Sequence, residues 1–193
     1  MNVLVIPEDF RKDQHILRPM IEAMLASLGK ARAKVEVCRD PLLGGIAQAL
    51  NFDALSQLVS DWPMIDLFLL CVDRDGEAGR RDRLDALEGA LQPLVKKDGA
   101  IFLAENAWQE LEVWTLAGHE LLPGWTWAAI RNERDPKEVY FVPLAEAHDC
   151  ANDEDGGRKR LSISAAKRFK RVYKLCPEDI RSLHDRVRLW VEK

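Results

Sequence analysis

The sequence predicts an α/β protein, with a central, mostly parallel sheet of about four strands flanked by helices and a C-terminal helical extension. Three observations lead there. Short β-branched or uniformly apolar runs recur along the first two-thirds of the chain, segments with apolar residues three and four apart separate them, and acids, Gly or Pro stand where the runs stop. Such alternation implies parallel strands joined by crossover helices that cover both faces.

Val3–Ile6 is the first strand, stopped by Pro7, Glu8 and Asp9. From Gln14 to Leu28 the apolar stripe Ile16, Leu17, Met20, Ile21, Met24, Leu25 and Leu28 predicts an amphipathic helix closed by Gly29, with Asp13 in place to cap its start. Lys34–Cys38 reads as the second strand, Leu42–Val59 as helical with an interruption at Gly44-Gly45, and Asp66–Val72 as a fully buried third strand. Leu84–Val95 forms a third helix, Ala100–Leu103 a fourth strand, and Trp108–Leu116 a helix behind it. Beyond Gly118, Pro123, Pro136 and Pro143 break up a Trp-rich, charged stretch with no clean period. Two further helices are expected over Ser162–Leu175 and Pro177–Val191, the second with Pro177 at its first helical position.

At 193 residues the chain is long enough for one well-buried core, so it is read as a single domain over 1–193: an α/β core over 1–120, then an irregular segment and helices over 121–193. With 47% hydrophobic and 31% charged residues it is neither a disordered chain nor a fibrous one. The longest apolar run, Leu67–Val72, is far short of a membrane span, no targeting segment is visible, and no membrane partner is expected. Cys38, Cys71, Cys150 and Cys176 lack metal or disulfide spacing, which suits a reducing cytoplasm. The net charge of −4 gives no global nucleic-acid signature, so any basic patch must be local.

The sharpest feature is Asp73-Arg74-Asp75-Gly76 at the end of the apolar strand. Ligands of parallel α/β sheets bind beyond the carboxyl ends of strands, where strand order reverses. Two acids spaced by one residue in extended chain point the same way, and hard carboxylates suit Mg²⁺ or Mn²⁺. Glu8 stands at the equivalent place after the first strand and reaches the same crevice if strands one and three are neighbours. After the fourth strand, Glu105 and Glu112 share an edge of the expected helix, with Glu110 on another side. Seven residues of helix separate that pair by roughly 10 Å, so at most one of them ligates a given ion. The competing account of these acids is turn formation, helix capping or a solvated edge.

These elements resemble the Toprim-like family of metal-dependent phosphoryl-transfer domains, in particular small bacterial proteins of the DUF4276 and RloB-like kind. The resemblance rests on Glu8 after the first strand, on Asp73-Arg74-Asp75 after a hydrophobic strand, and on Glu112-Val113-Trp114-Thr115-Leu116-Ala117-Gly118, which is similar to the family's E-x-W-L-L-A segment. It spans about two-thirds of the chain, and Asp9 stands where the family usually has Gly. The resemblance implies a Toprim/Rossmann-like fold, Mg²⁺ (or Mn²⁺) held by Glu8, Asp73, Asp75 and either Glu112 or Glu105, and nucleic-acid strand cleavage as the founding chemistry. Glu8, Asp73, Asp75 and Glu112 would then be catalytic, with Glu8 as general base. It also implies a setting in defence against phage or mobile DNA, with DNA or RNA as partner, a protein partner in a defence complex, and a homodimer left open.

Arg158 to Lys174 holds eight basic residues and no acid, and on one helix Lys167, Arg171 and Lys174 would share a face suited to a phosphate backbone. Arg80 and Arg81, just after the acidic loop, are also placed to meet a phosphate; the alternative is a solvated face paired with acids. The tryptophans sit at apolar spacing and read as core. A haloacid-dehalogenase-type phosphatase would need a later Lys and a second acidic pair, and a receiver domain a Lys ending a fifth strand. Ile101–Glu105 supplies no such acidic pair and no Lys ends a clear fifth strand, which leaves a non-catalytic module that binds nucleic acid or protein as the main rival.

Overall fold

The computed structural model describes residues 1–41 and 43–193. Its elements are β1 (Asn2–Pro7), α1 (Phe10–Ser27), β2 (Lys34–Val37), α2 (Ile46–Ala49), α3 (Phe52–Asp61), β3 (Leu67–Asp73), α4 (Arg80–Leu91) and β4 (Ile101–Ala107). They are followed by α5 (Glu112–Ala117), α6 (Trp127–Asn132), a π-helical turn at Lys137–Phe141, α7 (Val142–Ala147), α8 (Arg158–Ala166), α9 (Phe169–Leu175) and α10 (Ile180–Val191). The four strands form one parallel sheet in the order β2-β1-β3-β4. This is the Rossmann/Toprim-like arrangement of a parallel sheet between helices, with helices C-terminal to it. The chain leaves β1 for β2 on one side and returns to β3 on the other, so strand order reverses between β1 and β3. In sheets of this order, ligands bind in the crevice outside the carboxyl ends at that point.

The period-two alternation of buried strands sorts the core into two layers. Val3, Val5, Leu67, Leu69 and Cys71 pack with α1, α9, α10 and Trp114, while Leu4, Ile6, Phe68, Leu70 and Val72 pack with α3 and α4. A third cluster, including Leu116, Ile130, Phe141, Leu144 and Leu161, is the core of the C-terminal extension. The extension meets the sheet domain at Gly118, where a Cβ would lie 2.4 Å from the Ala165 Cα.

β4 is an edge strand, and its open side is closed by side chains. Gln92 accepts from the Phe102 amide at 2.8 Å and donates to the Ala100 carbonyl at 3.1 Å. Glu88 accepts from the Ala104 amide at 2.6 Å, and the Ala104 carbonyl receives both Arg81 (2.9 Å) and Arg186 (2.7 Å).

Several element boundaries differ from expectation. The first residue of the helix expected at Leu42–Val59 lies outside the described residues, and from Ile46 onward there are two short helices rather than one. Asp9, not Asp13, caps α1: its side chain accepts from the Arg11 amide. Asp13 accepts in turn from the Asp9 amide at 2.7 Å. β4 runs on to Ala107, so the helix expected from Trp108 begins only at Glu112. The helix expected over Ser162–Leu175 breaks around Lys167–Arg168 into α8 and α9, and α10 starts at Ile180 rather than Pro177. Among the described residues no helix is long and apolar enough to cross a membrane.

Candidate functional site: an acidic crevice at the ends of β1 and β3

β1 ends at Pro7, which sets Glu8 at the mouth of the crevice, and β3 delivers Asp73 as its last residue beside it. One turn into α1 comes Asp13, and α5 opens with Glu112, which is buried. The four carboxyls act on one another. Burial, then repulsion from Glu112, Asp13 and Glu8, pushes Asp73 well above the usual carboxylate range, against a 2.8 Å hydrogen bond from the Leu111 amide to its Oδ1. Burial first, and the charges of Glu112, Asp9 and Glu8 besides, push Asp13 up to about 7 despite the Asp9 amide. Glu8 is raised by burial and by Asp75, against the Asp73 amide, Arg80 and the Ile46 amide, and its Oε2 is buried without a hydrogen-bond partner among the described residues.

Two arginines offset part of this charge. Arg158, the first residue of α8, donates through Nε (2.9 Å) and through its terminal nitrogen (2.6 Å) to the same Oε1 of Glu112. Its other terminal nitrogen is tied to the Asp155 carbonyl at 2.9 Å. Arg80, also buried, stands 3.8 Å from Asp75 and acts on Glu8. Counting Glu8, Asp13, Asp73, Asp75 and Glu112 as ionised against Arg80 and Arg158 leaves five negative and two positive charges. The donors are all hard oxygens, which suit a divalent cation such as Mg²⁺ or Mn²⁺. In the conformation described, no group of three His, Cys, Asp or Glu side chains among the described residues is arranged as a ready-made metal site.

The loops around the crevice are laced together. The Gln109 carbonyl accepts from the amides of Arg74 (2.8 Å) and Asp75 (3.2 Å), and its side-chain Oε1 accepts from the Gly76 amide at 2.9 Å. Asp75 and Gln109 both hold positive φ, at 54° and 74°. That conformation is rarely adopted by residues other than Gly and is held here by the surrounding structure. The C-terminal extension supplies the remaining wall. The Lys137 amide donates to Glu110 at 2.8 Å, the Trp108 indole donates to the Arg131 carbonyl at 2.7 Å, and the buried Asp179 receives the Trp108 amide, the Trp114 indole and Arg131 on one oxygen. Burial lifts the Glu110 carboxyl to about 7.

Glu8, Asp73 and Glu112 therefore do come together. Asp75 does not point with Asp73 along an extended chain: its positive φ turns it to the surface, where it pairs with Arg80 and reaches the group through Glu8. Glu105 is not on a helix with Glu112 at all. It is buried in β4 with Arg81 and Arg186 each 2.9 Å away, and burial raises it to about 7 against those two arginines. That pairing makes it part of the closed sheet edge rather than a metal ligand. Arg81 is committed to Asp85, Glu88 and Glu105, and so does not face a phosphate. Arg171 donates to the Ala117 carbonyl and to Glu120, each at 3.1 Å. Lys167 and Lys174 are exposed but lie on either side of the α8–α9 break, so the three basic residues share no helix face.

The sequence reading missed Asp13, taken only for a cap, and Arg158, taken for one member of a basic run. The signal for Asp13 was present in the second acid four residues after Asp9. Nothing local marks Arg158. Compared with protein-family models, curated proteins and solved structures, the chain matches none.

Proposed function

We propose that the protein is a Mg²⁺- or Mn²⁺-dependent phosphoryl-transfer protein of Toprim-like type that acts on nucleic acid, as a nuclease or a nuclease-like component. One observation carries the reading: Glu8, Asp13, Asp73 and Glu112 converge at the switch point of a parallel sheet with more negative charge than Arg80 and Arg158 offset, and one Glu8 oxygen is buried without a partner among the described residues. Glu8, Asp13 and Asp73 would hold the ion, with Glu112 bound to Arg158 through one oxygen and Asp75 at the margin. A divalent ion there neutralises phosphate charge and favours attack by water. Glu8, half-buried and raised above the ordinary carboxylate value by burial and by Asp75, is the group suited to take up a proton. The resemblance of the three motifs adds the proposal of a role in defence against phage or mobile DNA.

A second reading, a binding subunit without turnover, is favoured by the Arg158–Glu112 pair, which supplies a built-in cation to one of the carboxylates. Calorimetric titration of Mn²⁺ and Mg²⁺ into the wild-type protein and into Asp73→Asn and Glu112→Gln tests the first reading. Saturable binding that is lost in Asp73→Asn is the expected result. Failure of the wild type to bind Mn²⁺, even with an oligonucleotide present, refutes it in favour of the second.

A further inference from the structure

Two guanidinium groups flank the Asp73–Gly76 loop with no acidic partner among the described residues. Arg74 lies with its guanidinium carbon 4.0 Å from the centre of the Trp108 ring, and its Nε donates to the Glu77 carbonyl at 3.4 Å. Among the described residues no carboxylate lies within 4.0 Å of it, in contrast to Arg80, Arg81, Arg131, Arg158 and Arg186, each of which has one. Arg134 approaches the same loop: its Nε is 3.8 Å from the place a Cβ would occupy on Gly76. It is exposed, and the neighbouring Glu133 carboxylate turns to the backbone amides of Arg134 and Asp135 rather than to the guanidinium. Paired arginines elsewhere in this chain are consumed by structure; these two are held beside the acidic crevice with donors to spare.

We infer that Arg74 and Arg134 form a phosphate clamp over the Asp73–Gly76 loop and grip the backbone of a nucleic acid whose neighbouring phosphate enters the acidic crevice. The inference rests on the phosphoryl-transfer reading for the role of that crevice. A guanidinium fork matches phosphate oxygens, and stacking on Trp108 fixes Arg74 before the ligand arrives. Because Arg74 covers the Trp108 face, the ring is not a platform for bases. The contact is therefore with phosphate and is blind to sequence. Gly76, at φ 72°, keeps the loop free of a side chain beside Arg134.

The test is fluorescence anisotropy of labelled single-stranded oligonucleotides with the full-length protein in Ca²⁺, over a range of salt, for the wild type, Arg134→Gln and the double variant Arg74→Gln/Arg134→Gln. Each lost phosphate contact should flatten the plot of log affinity against log salt by about 0.7, so the double variant should be shallower by about 1.4. At about 0.1 M salt it should bind roughly ten-fold or more weakly, with equal losses on unrelated sequences. Arg134→Gln, an exposed change, gives half the effect and guards against misfolding of the Arg74 variant. An unchanged slope and affinity in the double variant overturns the clamp, as does a wild type that binds Mn²⁺ but no oligonucleotide. Displacement of the oligonucleotide by micromolar pyrophosphate also overturns it, by reassigning the arginines to a small phosphate ligand. The Mn²⁺ affinity of the double variant reports separately on the crevice: its loss in Asp73→Asn but not here keeps the two readings apart.

Discussion

Replacing Asp13 by Asn should stabilise the protein at pH 8 and leave it nearly unchanged at pH 4.5. Its carboxyl is raised from 3.8 to about 7, mainly by burial and further by Glu112, Asp9 and Glu8. A carboxyl raised on folding keeps its proton better in the folded chain. Stability therefore falls as the pH climbs from about 4 to about 7, and above that window the whole penalty is present. A gap of about three units corresponds to at most ~4 kcal/mol. The shift belongs to a group of carboxyls that titrate together, so about 1–2 kcal/mol is the share released by removing one charge. The Asn carbonyl still accepts from the Asp9 amide, so the link across the first turn of α1 survives. For a chain of this size the melting temperature should rise by roughly 3–6 °C at pH 8. Calorimetric melts of both proteins at the two pH values decide the matter. The same shift at both, or destabilisation at pH 8, would mean that Asp13 only ties the first turn of α1 and that its carboxyl is not crowded by neighbouring charge. Saturating Mn²⁺ should reverse the order at pH 8, because the wild type alone keeps the full set of carboxylates for the ion.

Gly118→Ala should destabilise by about 1–3 kcal/mol, toward the upper end because the obstacle is the Ala165 backbone and not a side chain that can turn away; a denaturant midpoint equal to wild type would show that α5 and α8 can separate freely. Asp179→Ala strips the buried carboxylate from Arg131 and from two N–H donors, so a loss of roughly 3–5 kcal/mol is expected, measured by urea unfolding; a loss under about 1 kcal/mol would mean that Glu178 alone can satisfy Arg131.

The strands and the acidic loop could be read in the sequence because their signals are local. Leu67–Val72 is apolar at every position since both faces of β3 are covered, and Asp73 marks the place where cover ends. Glu105 could not be read. An acid after Ile101–Leu103 looks like the end of a strand, yet β4 continues because Arg81 and Arg186, 24 and 81 residues away, neutralise it. The same long range hides Arg158. Within a run of eight basic residues, nothing distinguishes the one that turns inward to Glu112 from those that stay in water. Residues 119–157 lack a period because they fold into short helices held in part by contacts from elsewhere, such as the Lys137 amide on Glu110 and the Trp108 indole on Arg131. Strand identity was thus settled by neighbours in sequence, and the inner wall of the crevice by neighbours in space.

The closed side of β4 gives the sheet a direction of growth. An incoming strand would have to displace Gln92 from the Phe102 amide and Glu88 from the Ala104 amide, then compete with two guanidinium groups for one carbonyl. Among the described residues β2, four residues long, receives only the Arg18 side chain, on its Val35 carbonyl. A tag, a grafted hairpin or a β-strand ligand fused to this protein will therefore extend the sheet from β2. In hydrogen exchange, the amides of Phe102 and Ala104 will be released by motions of α4 and its C-terminal turn rather than by parting of the strands.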